Sequence, residues 1–198
     1  QTSSYIASFF HFLPCLVVML SVTNEFSFRT HRQNLIDGWS RSQFLLAKGL
    51  LVLGAALVST VWVGLTGLAV GFSQGGSLST QGLQYLGYFF LQSTLYASFA
   101  LWLAFLLRRG LLSLAAFLLY SNVLEKIGAA ILSAQVEGLG YYSPLASVNP
   151  LIPMPMLPQV TRQLSQGQPP ETSLLLAAVS WIAFFSLSVA WSFRSQDL

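Results

Sequence analysis

The stretch from Phe44 to Phe72, FLLAKGLLVLGAALVSTVWVGLTGLAVGF, decides the fold class. It holds one charged residue, Lys48, in 29 positions. A membrane-crossing helix needs about 20 predominantly apolar residues. This run is long enough to cross with tilt, or to begin before the bilayer. Four further runs qualify as spans, at residues 5–22, 83–107, 111–133 and 173–193. The first contains Pro14, which a membrane helix tolerates with a kink. Hydrophobic residues make up 54% of the 198 positions and charged residues 8%. A soluble domain carries about 25% charged residues, so this chain lacks the charge to solvate an ordinary surface. The reading is an all-α integral membrane protein, one transmembrane domain over residues 1–198, with lipid as its main solvent.

The basic residues orient the spans. Arg29, Arg32, Arg41 and Lys48 fall between the first two, Arg108 and Arg109 between the third and fourth, and Arg194 after the fifth. If spans alternate, all seven lie on one side; Arg162 lies on the other, and Lys126 lies within the fourth span. The positive-inside rule makes the charged side cytoplasmic, with the N-terminus outside and the C-terminus inside. The first apolar run has neither a basic leader nor a small-residue cleavage pattern, so it does not read as a signal peptide. An outside N-terminus of this kind predicts an earlier span, six in all. The net charge of +3 gives no reason to expect a nucleic-acid partner, because its basic residues sit in short loops.

Between the outer ends of the last two spans, residues 135–172 hold seven of the eight prolines. Proline removes a backbone donor and blocks helix interiors. Tyr141, Tyr142, Leu151, Ile152, Met154, Met156 and Leu157 nevertheless make the segment apolar. It reads as a compact outer cap of short helices, partly dipping into the membrane, with a free loop as the alternative.

The most informative polar stretch is Asn24 to Lys48, NEFSFRTHRQNLIDGWSRSQFLLAK. Thr30 with Gln33 has capping-box spacing, and so has Ser40 with Gln43. Gly38 stands where a helix would end. A short helix over residues 31–37, a turn at Gly38 and a fresh helix start after Ser40 make a firm elbow, with the cytoplasmic segment at residues 24–43. Such an elbow either anchors to anionic lipid through Arg29, Arg32 and Arg41, or docks on a soluble partner and relays its motion.

The segment THRQNLIDGWSRSQF, Thr30 to Phe44, resembles the cytoplasmic segment of ABC-2 type transporter permeases, particularly those of Bacteroidetes-like bacteria. The motif covers about 20 residues, and the topology extends the likeness over nearly the whole chain. The resemblance implies six helices with both termini cytoplasmic, so that the five spans here would be family helices two to six. It also implies a re-entrant outer region at residues 135–172 and a separate ATP-binding cassette ATPase docked at the elbow. Thr30, Arg32, Gln33, Asp37, Gly38, Ser40 and Arg41 would then form or shape the ATPase contact. The implied machine is an exporter in the bacterial inner membrane. In it, this chain would pair with a second copy or a sister permease, while ATP and Mg are held by the partner. The chain itself has no Walker A loop, so it is read as a transport subunit and not an enzyme, with no cofactor of its own.

Other chemistry is sparse. Glu125 and Lys126 lie within the fourth span, about 21 Å from Leu111 at 1.5 Å per residue. Ionisable groups at that depth are candidates for function by default; the alternative is a structural polar contact near the cap. Adjacent helical residues diverge, so the two are not expected to pair. Two histidines, His11 and His31, give no metal or haem set, and Cys15 reads as a small buried hydrophobe. Gly64, Gly67 and Gly71 permit close helix contact. The rival reading is a non-transporting membrane scaffold, which leaves the doubly capped elbow unexplained.

Overall fold

The computed structural model describes residues 12–28, 30, 38, 40–73, 83–152 and 168–194. Every regular element among these residues is helical. Helix α1 is Phe12–Ser27, α2 is Arg41–Ser73 and α3 is Leu83–Leu107. Helix α4, Gly110–Leu119, passes through a π-helical turn, Tyr120–Leu124, into α5, Glu125–Gln135. Two 3-10 helices follow, Leu139–Tyr142 and Ala146–Leu151, before α6 at Glu171–Arg194. Among the described residues, four helical stretches are long and apolar enough to cross a membrane: α2, α3, the continuous Gly110–Gln135, and α6. The described part of α1 is apolar over 16 residues.

The bundle is organised around α3. It packs against α1, α2, α4, α6 and the second 3-10 helix. In its most apolar stretch 67% of residues are buried, against 11% for Gly110–Gln135. Ser93, Ala97, Ser98, Ala100 and Ala104 are all buried on it. Small residues let neighbouring helices approach closely where lipid supplies no hydrophobic drive to associate. The outer helices expose long apolar faces instead, with Trp62, Leu111 and Trp191 each more than two-thirds exposed. Such faces would be an aggregation liability in water and are ordinary against lipid.

One boundary differs from the sequence reading. The first span was expected to end at Val22 and the cytoplasmic segment to start at Asn24, but α1 continues through Ser27. Glu25 looks like a loop residue in sequence. Here its charge is met by Lys48 of α2, so the helix extends by more than a turn.

The two ends of the bundle are built differently. At one end α3 and α4 are joined by a tight turn in which Arg108 takes φ 54°. Its N–H donates to the carbonyl of Ala104 at 2.9 Å. Gly110 then lies against α1, where an added Cβ would sit 3.1 Å from Thr23 Oγ1. At the other end the chain turns at Gly138, φ 82°, and folds back along α5. The Gly140 N–H donates to Ser133 Oγ at 3.2 Å. Trp181 Nε1 of α6 donates to the Tyr142 carbonyl at 2.9 Å, and the Tyr142 and Ser173 hydroxyls lie 3.1 Å apart. Of the expected outer cap, residues 153–167 lie outside the described residues. The described part is two short helices fastened to α3, α5 and α6.

Gly140 is the tightest point of this fastening. A Cβ there would lie 2.3 Å from both the Ala129 carbonyl oxygen and Ser133 Oγ. Gly140→Ala should therefore cost about 1–3 kcal/mol through forced backbone movement, read as a lower midpoint of thermal unfolding in detergent. Gly54, with nothing within 4 Å of an added Cβ, is the control. Gly54→Ala should leave the midpoint unchanged or raise it, since alanine is the better helix former by about 1 kcal/mol.

Candidate functional site

The elbow end joins its helices through charged and aromatic side chains. Helix α2 starts with a complete capping box. The Ser40 N–H donates to Gln43 Oε1 at 2.8 Å, and the Gln43 N–H donates to Ser40 Oγ at 3.2 Å. Two amides that would otherwise lack acceptors are satisfied reciprocally. Gly38 has φ 97°, in the left-handed region that favours glycine and stops a preceding helix. The Thr30 hydroxyl donates back to the Glu25 carbonyl at 3.5 Å. Arg41 is the first residue of α2 and is half-buried. Arg32, Gln33 and Asp37, the remaining expected ATPase contacts, lie outside the described residues.

Behind this elbow a closed circuit of side chains joins four helices. Lys48 Nζ of α2 forms an ion pair with Glu25 of α1 and sits 5.0 Å from the Phe44 ring centroid. Phe44 stacks on Phe193 of α6 at 4.9 Å. Phe193 meets Phe105 of α3 edge-on at 6.0 Å. Phe105 meets Phe26 of α1 edge-on at 5.3 Å, and Phe26 is the neighbour of Glu25. The Arg108 guanidinium lies 5.5 Å from the Phe26 ring. Each aromatic pair contributes about 0.5–1.5 kcal/mol beyond its burial. More important is the geometry: these contacts tie α1 and α2, the two arms of the elbow, to α3 and α6. Lys48, counted among the cations that orient the spans, is buried within α2.

The opposite end holds Glu125. The helix loosens just before it, where the Glu125 N–H donates to the Tyr120 carbonyl in a π turn. Such turns reorient the side chains that follow and recur at functional positions. The Ser121 hydroxyl and Asn122 amide donate to the carbonyls of Phe117 and Leu118, at 2.8 and 3.0 Å. Glu125 is 7% exposed. Its Oε1 accepts the backbone N–H of Leu145 and, at 2.7 Å, that of Ala146. The carboxylate therefore satisfies the start of the second 3-10 helix. Lys126 points elsewhere and is exposed, so the two neighbours have separate roles.

Beside the Glu125 contact, Gln92 Nε2 donates to Asn149 Oδ1 at 3.3 Å. Gln92 Oε1 and Ser93 Oγ are buried without a partner among the described residues. Among the described residues no group of three His, Cys, Asp or Glu side chains is placed to hold a metal.

Residues 1–198 match the sequence model of a family described as a protein of unknown function (DUF2705). The chain belongs to this DUF2705 family. No curated protein matches it. The family description assigns no chemistry, so the roles of the DUF2705 chain rest on its two polar centres. Of these, sequence reading reached the capping box, Gly38 and Glu125. It missed Glu25 and the four-phenylalanine circuit, which have no local spacing signal because the partners come from different helices.

The Glu25–Lys48 pair can be measured directly. The side chains are 26% and 8% exposed, so Lys48→Met takes a cation away from a largely buried carboxylate and should destabilise by about 3 kcal/mol. The double variant Glu25→Gln/Lys48→Met removes both charges together and should recover at least half of that loss. The check is a double-mutant cycle of denaturation midpoints in one detergent.

Proposed function

We propose that this chain is the membrane-spanning subunit of an ATP-driven transporter of the ABC-2 type. The observation that carries the proposal is the closed circuit behind the elbow. A junction this firmly tied across four helices gives no advantage to a protein that only sits in lipid. It does serve one that must convert a push from outside the bilayer into helix movement. The Ser40–Gln43 box stiffens the lever. The ion pair and the phenylalanines carry its displacement to α1, α2, α3 and α6.

In this reading the chain is a multi-pass protein of a bacterial inner membrane, with the elbow and C-terminus cytoplasmic. An ATP-binding cassette ATPase holds ATP and Mg and docks at the elbow through residues 30–41. A second copy or a sister permease completes the path, and export is the direction the resemblance implies. The outer cap is re-entrant. It runs back beside α5 from Gln135 to Glu125, about 15 Å at 1.5 Å per residue, and the N–H groups of Gly140, Leu145 and Ala146 and the carbonyl of Tyr142 find side-chain partners within the bundle, as such a segment requires in lipid. Glu125 then holds the outer cap closed by gripping the N–H groups of Leu145 and Ala146.

The test is co-purification from the native membrane in mild detergent, followed by mass spectrometry and ATPase assay. A stoichiometric ATP-binding cassette ATPase is expected. Arg32→Ala and Asp37→Ala should each weaken its retention, with assembly of the membrane bundle intact. A stable complex lacking any ATPase would refute the transporter reading and favour a scaffold.

A further inference from the structure

The end of the bundle away from the elbow carries a cup that neither the circuit nor Glu125 explains. It lies between the start of α3, the second 3-10 helix and the start of α6, with a volume of about 270 Å³. Pro150, Leu151 and Leu174 supply an apolar floor. Tyr85 and Tyr88 form one wall, their rings edge to face at 6.1 Å. Glu171 stands across from them, and Gln84 and Gln168 complete the rim. The Tyr88 hydroxyl donates to the Glu171 carboxylate, which already ties α3 to α6. The rest of the rim has no such duty. Gln84, Tyr85 and Gln168 make no hydrogen bond among the described residues.

The donor and acceptor chemistry is selective. The described lining carries one formal charge, the Glu171 carboxylate, and no Lys or Arg. An anion would meet the Glu171 carboxylate with no lining cation to offset it. A bare metal ion would find one carboxylate where several oxygen ligands are needed. Two tyrosine rings, set edge to face, beside one carboxylate over an apolar floor match an alkylated cation, whose charge the π-electrons and carboxylate attract while its carbons fill the floor. From this juxtaposition we infer that the cup binds a small organic ammonium group, either a free solute or the headgroup of a lipid in the adjacent leaflet.

The inference stands apart from the transporter reading and is tested without ATP. The purified protein, with whatever partners it retains, is placed in phosphatidylglycerol nanodiscs and titrated with choline by calorimetry. Saturable one-site binding is expected. Glu171→Gln keeps an acceptor for Tyr88 and should weaken binding about tenfold. Tyr85→Leu should weaken it about threefold, and Tyr85→Phe should retain it. Glu137→Gln removes an exposed carboxylate outside the cup and should change nothing. Repeating the titration in phosphatidylcholine nanodiscs identifies the source. Lost choline binding there means that the lipid headgroup occupies the cup, and unchanged binding means that a free solute does. Absence of saturable binding in phosphatidylglycerol, equal loss in Glu137→Gln and Glu171→Gln, or competition by a neutral sugar as strong as by choline itself would overturn the assignment.

Discussion

Lipid offers no hydrogen-bond partner, and several departures from regular helix in this bundle are paired from within. Around the π turn before Glu125, Ser121 and Asn122 donate to the carbonyls of Phe117 and Leu118. The 3-10 helices of the outer cap expose amides that Glu125 and Ser133 accept. Trp181 donates to a carbonyl of the same segment. An unpaired backbone group in hydrocarbon costs several kcal/mol, so these side chains are what allow an irregular segment to lie against the helices. The central position of α3 follows from the same constraint. Its small polar and apolar residues let four helices and the cap share one buried axis.

The two ends of that axis suit different tasks. The elbow end is closed by aromatic stacking and one ion pair, a combination that resists shear and passes displacement among four helices. The cap end is held by a few polar contacts concentrated on Glu125, Ser133 and Trp181, which can exchange for water when the segment moves. In the proposed transporter these ends serve as a stiff input and a polar, releasable output. The apolar face of Gly110–Gln135, with little of it buried in this chain, is open to lipid or to another chain.

Much of this architecture was legible in the sequence because it depends on local composition. Helix α3 runs over the same residues as the apolar stretch 83–107, and α2 and α6 start within three residues of theirs. Capping is equally local: Ser40 and Gln43 are three positions apart and find each other whatever the fold does. Glu25 and Lys48 are 23 positions apart, and neither carries a mark of its partner, so α1 appeared to end early. Glu125 and Lys126 could be expected to diverge. Which of them turns inward is decided by the π turn and by the cap amides, and neither has a sequence period. Gly140 likewise reads as one more loop glycine until α5 is laid against it.

The central claim is that the elbow is a docking lever for an ATPase. It is tested most directly by placing a photo-crosslinking amino acid at Asp37, with a second at Tyr85 on the opposite end as the control, and irradiating living cells. The account predicts that an ATP-binding cassette ATPase is captured from position 37 and not from position 85. Capture of lipid alone at position 37, or of the same proteins from both positions, would contradict it.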